Sequence, residues 1–230
     1  MTLSEGVVRR ATSDEAIVER IVAAVMEHKL PPGAKLAENA LCEAFSASRT
    51  QIRRILVVLG ERGVVTLHPN RGAFVWSPSA EEARDVFAAR RVVERAAVER
   101  AAATINARAL ARLRALVAAG AAAAHRADER EAIRLSGQFH IEIAEIAGNA
   151  VLTRFLEDLV ARTSLIIAFY GATTQTCSDS DHDDLITALA APNVARAGEL
   201  MESHLRRIEA GLDIREMVER PLDIRELFSV

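Results

Sequence analysis

The sequence predicts a mainly α-helical protein, with an N-terminal winged helix-turn-helix that carries a small β-hairpin wing and a C-terminal all-α bundle of six or seven helices. Apolar residues recur at three- and four-residue spacing along most of the chain, which is typical of helices that bury one face. Two short β-like runs interrupt this pattern between residues 63 and 76. Aromatic residues are only 4% of the chain, so the core of the bundle is expected to consist mainly of Ala, Leu, Ile and Val.

The basic segment 48–54 holds three arginines, and no acidic residue follows it before Glu61. Ser48 is a good N-cap, because its hydroxyl can accept an otherwise unpaired backbone N–H of the first helical turn. Apolar side chains then recur at helical spacing, at Ile52, Ile55, Leu56 and Leu59. Arg49, Thr50 and Arg53 therefore lie on the outer face at the N-terminal end. A recognition helix enters the major groove with this end, and arginine can pair there with guanine. The alternative is a solvated charged face on an ordinary helix.

The segments around the basic helix predict two further helices and a hairpin. Thr12 and Glu15 predict a capping box that opens a first helix, which ends before the Leu-Pro-Pro-Gly turn at 30–33. A short helix is predicted over Glu38–Phe45, and two short helices joined by a tight turn are the helix-turn-helix pattern. The runs 63–67 and 72–76 predict a wing, whose turn-rich tip would bring a cation to the phosphate backbone or the minor groove.

Here the sequence resembles the winged helix-turn-helix domain of the GntR regulator family, over about residues 10–77. The matching motifs are Leu30-Pro31-Pro32-Gly33-Ala34-Lys35-Leu36 with Glu38 and Leu41, then Ser48-Arg49-Thr50, Arg53, Leu56, Arg62-Gly63 and Asn70-Arg71-Gly72-Ala73-Phe74-Val75. The resemblance implies a DNA interface formed by Ser48, Arg49, Thr50, Arg53, Asn39, Arg71 and Gly72. The chain departs from the family pattern at Gln51, Arg54-Ile55 and Asn39, which bears on the operator sequence.

Composition and charge narrow the possible functions. No apolar run approaches the roughly 20 residues that span a bilayer, and the N-terminus has no signal-peptide pattern. The isolated Cys42 and Cys177 indicate free thiols in a reducing cytoplasm, so we expect a cytoplasmic protein without a membrane partner. The net charge of −3 divides unevenly, because residues 1–78 hold ten Lys/Arg and eight Asp/Glu while residues 79–230 hold nineteen and twenty-four. This local excess of positive charge favours DNA binding.

We therefore predict a DNA-binding domain over residues 1–78 and a helical domain over residues 79–230. Ser79 and Glu82 predict a capping box at the start of the helical domain. Helices are predicted over roughly 106–126, 128–147 and 150–172, with two more around Pro192, the last of which ends at Gly211.

His140, His182 and His204 fall on three different helices, each close to an apolar face. Neutral imidazoles that converge in the core of a bundle can hold a transition metal. The alternative is three separate histidines that are exposed or hydrogen-bonded. Glu142 and Glu145 lie near His140 in sequence and are expected on the outer face of its helix.

The helical part resembles the FCD effector domain of the FadR subfamily of GntR regulators, over roughly residues 80–211. The matching residues, in order, are Arg90, Glu94, Phe139-His140, Gly148-Asn149, His182 and Glu202-Ser203-His204. The resemblance implies that the three histidines hold a divalent metal, with Zn²⁺ or Ni²⁺ favoured by imidazole ligands. The family's aspartate ligand would stand at position 136, where this chain has Ser136. A hydroxyl is a poorer ligand, so the metal site should be weaker and open to water or to effector oxygens.

The expected effector is a small carboxylate. Arg90 and Arg162 are candidates to pair with it, and Asn149 could orient a metal-bound water; arginines that face solvent or form salt bridges are the alternative. Tyr170, Cys177 and residues 173–176 could line the pocket mouth or form a surface loop. The repeat at 212–216 and 222–226 receives no functional interpretation.

These features together predict a transcription regulator of the repressor type rather than an enzyme. One recognition helix reads one half-site, so we expect a homodimer on a palindromic double-stranded operator. Two rival functions are a metal-dependent hydrolase and an architectural DNA-binding protein without a ligand. The hydrolase lacks an evident general base or nucleophile–base pair in the sequence.

Overall fold

The computed structural model describes residues 13–171, 179–191 and 193–214. Its N-terminal part contains three helices and three short strands. These are α1 (Asp14–Met26), β1 (Lys35–Leu36), α2 (Glu38–Phe45), α3 (Arg49–Glu61), β2 (Val65–His68) and β3 (Gly72–Val75). The arrangement confirms the predicted winged helix-turn-helix, in which α3 is the basic helix.

The cap of α1 differs from the prediction by one residue. Ser13 is the N-cap, and its side chain accepts a hydrogen bond from the backbone N–H of Ala16. Thr12 lies outside the described residues. The two hydroxyl residues are adjacent, and either can cap a helix, so the sequence alone could not decide between them.

The wing is a hairpin in which β2 pairs antiparallel with β3, from Val65 opposite Val75 to His68 opposite Gly72. Asn70 turns the chain at φ 61° and Gly72 at φ 96°, which are left-handed values that Asn and Gly adopt most readily. The strand β1 adds to the other edge of β3 and gives the sheet order β1-β3-β2. A strand of two residues shows no alternation of apolar and polar side chains, and the sequence did not reveal it.

The C-terminal part is a bundle, with six helices among the described residues, within the predicted range. These are α4 (Ala80–Ala102), α5 (Ala107–His125), α6 (Glu129–Ile146), α7 (Ala150–Tyr170), α8 (Asp179–Leu189) and α9 (Val194–Ala210). The capping box at the start of α4 is present: the backbone N–H of Glu82 donates to the Ser79 hydroxyl, and the Glu82 carboxylate accepts from the Ser79 backbone. Residues 172–178, Pro192 and residues 215–230, which include Cys177 and the second repeat, lie outside the described residues.

Helix α4 lies at the centre of the bundle and packs against α6, α7 and α9. The apolar core is continuous from the winged domain into the bundle, because α1 packs on α6 and α7. Within the described residues, no helix is both long enough and apolar enough to cross a membrane.

Candidate metal centre and nucleic-acid interface

The N-terminus of α3 carries the side chains that the sequence predicted for base reading. The Ser48 hydroxyl accepts the backbone N–H of Gln51 at 3.2 Å, and no acidic residue occurs in the first turn. Arg49, Thr50 and Arg53 are exposed, while the apolar stripe of α3 is buried against α1 and the wing. This end of the helix therefore presents cations and backbone N–H groups to solvent, as an anion-binding surface requires.

Two of the arginines of α3 have carboxylate partners within the domain. The Nε of Arg53 donates to both carboxylate oxygens of Glu38, at 2.9 and 3.0 Å. The Nε of Arg54 donates to Asp14 at 2.6 Å. Asn39 is exposed on the first turn of α2, next to Glu38. The Nε of Arg53 is thus occupied by Glu38 in the absence of DNA.

The wing brings a further cation beside the predicted one. Arg71 and Gly72 are exposed at the tip, and the Arg71 guanidinium lies 5.9 Å from the centroid of the Phe74 ring. The Lys35 ammonium lies at the same distance from the same ring, because β1 pairs with β3 at this point. The sequence did not reveal Lys35 as a candidate interface residue, because only the pairing of β1 with β3 places it beside the wing.

Three helices bring the predicted histidines together. His140 of α6, His182 of α8 and His204 of α9 are all buried, and one nitrogen from each lies within 4.8 Å of the nitrogens of the other two. The Nε2 atoms of His140 and His204 are 3.3 Å apart. The Phe139 ring packs on His182, with ring centroids 4.3 Å apart, and closes one side of the cluster.

Two carboxylates orient the imidazole rings. Glu94 of α4, which is buried, accepts a hydrogen bond from Nδ1 of His140, and Asp181 accepts one from Nδ1 of His204 at 3.2 Å. A carboxylate can only accept, so each Nδ1 carries the proton and each Nε2 faces the cluster. Neither role was predicted: Glu94 appeared only as a matching residue, and Asp181 had no motif of its own.

Burial makes the neutral forms of the histidines dominant. It lowers the pKa of His140, against the opposing charge of Glu94. Burial, together with the neighbouring His140 and His204, lowers the pKa of His182 to about 2. Burial and His140 lower the pKa of His204 to about 4. The cluster is therefore a set of three uncharged imidazoles at neutral pH, the form in which imidazole binds a metal.

The remaining residues predicted on the helical domain fall into different surroundings. Ser136 lies on α6 one turn before His140, on the same face, and is half-buried. Arg90 is buried and its Nε donates to Glu94, which is the salt-bridged alternative. Burial alone would raise the pKa of Glu94, but Arg90 and His140 outweigh it and lower this pKa to about 2. The Arg90 charge is thus already matched by an ionised carboxylate beside the histidines.

Asn149 and Arg162 have other partners. The Asn149 side-chain oxygen caps α7, where it accepts the backbone N–H groups of Val151 and Leu152. The Arg162 guanidinium lies 4.5 Å from the centroid of the Trp76 ring and packs against Gly63 of the winged domain. The structure thus places Arg162 between the domains and not among the histidines, because its side chain leaves α7 on the face that meets the wing.

Two further residues differ from the sequence interpretation. Glu142 is buried and its Oε1 accepts from the Arg112 Nε at 2.6 Å, so it does not lie on a fully exposed outer face. Its carboxylate is engaged by a cation of α5, which leaves it unsuited to act as a general base. Tyr170 is buried and its hydroxyl donates to the Pro78 carbonyl at 2.9 Å, at the connection between the domains.

A DNA-reading winged helix-turn-helix joined to a helical domain with a buried polar cluster defines a two-domain transcription regulator. The model of the bacterial regulatory proteins of the gntR family matches residues 13–75, and the model of the FCD domain matches residues 85–207. The chain belongs to the GntR family of transcription regulators and carries an FCD effector domain.

One curated protein is similar in sequence, and two solved structures have a similar fold. The HTH-type transcriptional repressor RspR of Escherichia coli K12 is 25% identical over 181 residues, which are 78% of this chain and 79% of RspR. Escherichia coli McbR/YncC has a similar fold, with a TM-score of 0.78 at 19% identity over 86% of this chain and 96% of that one. A candidate GntR regulator from Rhodococcus sp. RHA1 gives a TM-score of 0.74 at 24% identity, over 86% and 95% of the two chains.

Proposed function

We propose that the protein is a FadR-subfamily repressor whose affinity for its operator is modulated by a small carboxylate effector, bound at a divalent metal in the helical domain. The observation that carries this proposal is the convergence of the Nε2 atoms of His140 and His204 at 3.3 Å, with His182 beside them. Both Nδ1 protons are taken up by carboxylates, so two nitrogen lone pairs point at each other. Such an arrangement is unfavourable unless a cation or a proton lies between them.

The histidine geometry fits a metal better than a shared proton. Burial lowers the pKa of each imidazole, which disfavours a proton. Two imidazole nitrogens at about 2.0–2.1 Å from one ion, at a near-tetrahedral angle, lie about 3.3–3.4 Å apart, close to the distance found here. Glu94 and Asp181 supply the outer hydrogen bonds that fix the tautomer of metal-bound histidines.

An all-imidazole set favours Zn²⁺ or Ni²⁺, and the metal would act as a Lewis acid that binds an effector oxygen. Ser136 in place of an aspartate removes one negative charge from the site. This lowers the affinity of the site for the metal and favours an anionic effector. Arg90 is close enough to the histidines to contribute positive charge, although Glu94 already engages it. We propose no effector contact for Asn149 or Arg162, because their side chains have other partners.

On DNA, we propose that residues 1–78 act as the reading unit and residues 79–230 as the effector-binding and dimerisation unit. The side chains that would face base edges in the major groove are those of Arg49, Thr50, Arg53 and Asn39. Contacts to the DNA backbone would come from Ser48, Arg71 and Gly72. Two chains would form a homodimer on a palindromic operator in the cytoplasm, where bacterial DNA lies. The repressor role is supported by the similarity to RspR.

Metal content measured by elemental analysis tests the histidine site. The wild-type chain, loaded with Zn²⁺ or Ni²⁺ and desalted, should retain one equivalent, and His182→Ala should retain much less. The matched control is His125→Ala, because His125 is exposed on α5, and this variant should keep its metal. Equal retention by His182→Ala and His125→Ala would exclude a site shared by the three histidines, and the helical domain would then bind an effector without a metal.

A further inference from the structure

Arg62 is a buried cation at the C-terminal end of the DNA-reading helix. It is the C-cap residue of α3, and its side chain is only 5% exposed. Its Nη1 donates to Glu19 of α1 at 3.0 Å and its Nε donates to Asp158 of α7 at 2.5 Å. A second carboxylate of α7, on Glu157, lies 4.0 Å from Nη2. One guanidinium therefore joins two helices of the winged domain to a helix of the effector domain.

Other contacts of α7 surround this ion pair. The Arg162 guanidinium stacks on Trp76, and the Ser164 hydroxyl donates to the Met26 carbonyl at 3.2 Å. Tyr170 binds the Pro78 carbonyl at the connection between the domains. The same helix packs along α6, which carries His140. Helix α7 thus contacts both the helix that carries His140 and, through Asp158, the end of α3.

The burial of Arg62 makes it costly to separate this side chain from its carboxylate partners. Burial alone would lower the pKa of Arg62, but the hydrogen bonds and charges of Asp158 and Glu19 outweigh burial and raise this pKa. A buried cation cannot leave its carboxylates without losing these hydrogen bonds, so the C-terminal end of α3 must follow α7 when α7 moves. The exposed pairs of α3, Arg53–Glu38 and Arg54–Asp14, lie within the winged domain and have no such effect between domains.

The position of Arg62 amplifies small movements. Helix α3 has 13 residues, so its DNA-reading end lies about 20 Å from its C-cap. A rotation of about 10° at Arg62 would displace Arg49 by about 3.5 Å, at a rise of 1.5 Å per residue. This displacement exceeds the tolerance of a hydrogen bond to a base edge.

We infer that Arg62 is a positioning residue, which holds the recognition helix on α7 through Asp158 and transmits the state of the histidine site to the DNA-binding domain. The transmission step rests on the proposed metal site, whereas the holding step does not. Asp158→Asn and Arg62→Gln should therefore uncouple the two domains while each domain stays folded.

Unfolding in urea with two optical probes tests the holding step on the full chain with a chelator present. Trp76 is the only tryptophan and is buried between the domains, so its fluorescence reports separation of the domains. Far-ultraviolet circular dichroism reports mainly the helical bundle. The two transitions should coincide in the wild type, whereas in Asp158→Asn the fluorescence transition should occur at lower urea.

The matched control is Arg112→Gln, which removes an Nε–carboxylate pair of 2.6 Å within the helical domain. It should shift both transitions together. Coincident transitions in both Asp158→Asn and Arg62→Gln would overturn the holding role.

The same unfolding measurements with Zn²⁺ in place of the chelator then test the transmission step. In the wild type it should raise both midpoints, and in Asp158→Asn it should raise only the dichroism midpoint. A fluorescence midpoint that responds to Zn²⁺ equally in Asp158→Asn and wild type would overturn transmission. If neither midpoint of the wild type changes with Zn²⁺, the metal site and the transmission step are both refuted. The measurements made with a chelator would still decide the holding step.

Discussion

Single residues on the DNA-facing surface differ in what they can contribute. Arg49 lies at the first position of α3, at the end that we propose to enter the major groove, whereas Arg71 is exposed at the tip of the wing. Base contacts carry sequence information and phosphate contacts do not. Arg53 also pairs with Glu38 through its Nε, so any loss of that pair on DNA would offset part of its binding free energy.

We predict that Arg49→Ala weakens operator binding by about 1–3 kcal/mol per half-site and scrambled DNA much less, because a paired contact to guanine is lost. Arg71→Ala should weaken both DNAs alike and reduce the salt dependence of binding. Fluorescence anisotropy with both duplexes at several salt concentrations measures these effects. Arg108→Ala, an exposed arginine of α5, is the control and should change neither affinity. Equal losses of operator and scrambled DNA in Arg49→Ala would assign Arg49 to the backbone.

At the scale of helices and strands, most of the fold could be predicted because local signals agree with it. The bounds of α2 and the caps at Ser48 and Ser79 follow from the sequence, since each depends on residues within one turn. The strand β1 and the contacts of Arg162 could not be predicted, because they depend on pairing between distant segments. The histidine cluster was predicted from the position of three histidines near apolar helix faces and from a family resemblance, while its carboxylate partners emerge only when α4, α8 and α9 are assembled.

Gly137 of α6 packs tightly against both α7 and the first helix of the winged domain. A Cβ at this position would lie 2.9 Å from Val160 Cγ1 and 3.0 Å from Met26 Cε. We predict that Gly137→Ala lowers the free energy of unfolding by about 1–3 kcal/mol, because Val160 is stiff and its helix must shift. Gly120→Ala is the control, since its Cβ would meet only Leu135 Cβ at 3.9 Å, and it should stabilise α5 by about 0.5–1 kcal/mol. Urea titration of both variants measures this, and a Gly137→Ala protein as stable as Gly120→Ala would contradict tight packing at this junction.

At the scale of the whole molecule, the buried histidines link metal binding to stability. Each imidazole that must stay neutral in the folded protein is free to gain a proton in the unfolded chain, near its ordinary pKa of 6.5. Protons therefore compete with folding and with metal at the same three residues. Neutral pH should favour the folded, metal-bound form, and acid should disfavour both folding and metal.

We predict that the metal-free protein loses stability as the pH falls below about 6.5, because the unfolded chain then binds protons that the folded histidine cluster does not bind. The pKa of His182 is lowered to about 2 and that of His204 to about 4, so the loss from these residues continues down to pH 4. Each buried histidine contributes a slope of up to about 1.4 kcal/mol per pH unit in this window. Urea unfolding at a series of pH values with a chelator measures the slope.

His182→Gln should reduce this slope by about the contribution of one histidine, whereas His125→Gln, at an exposed position, should leave the slope unchanged. Zn²⁺ should raise stability at pH 7.5 and lose this effect only as the pH approaches about 4, the lowered pKa of His204, because protonated imidazole does not bind metal. A slope that is the same in His182→Gln and in the wild type would show that His182 is not held neutral in the core.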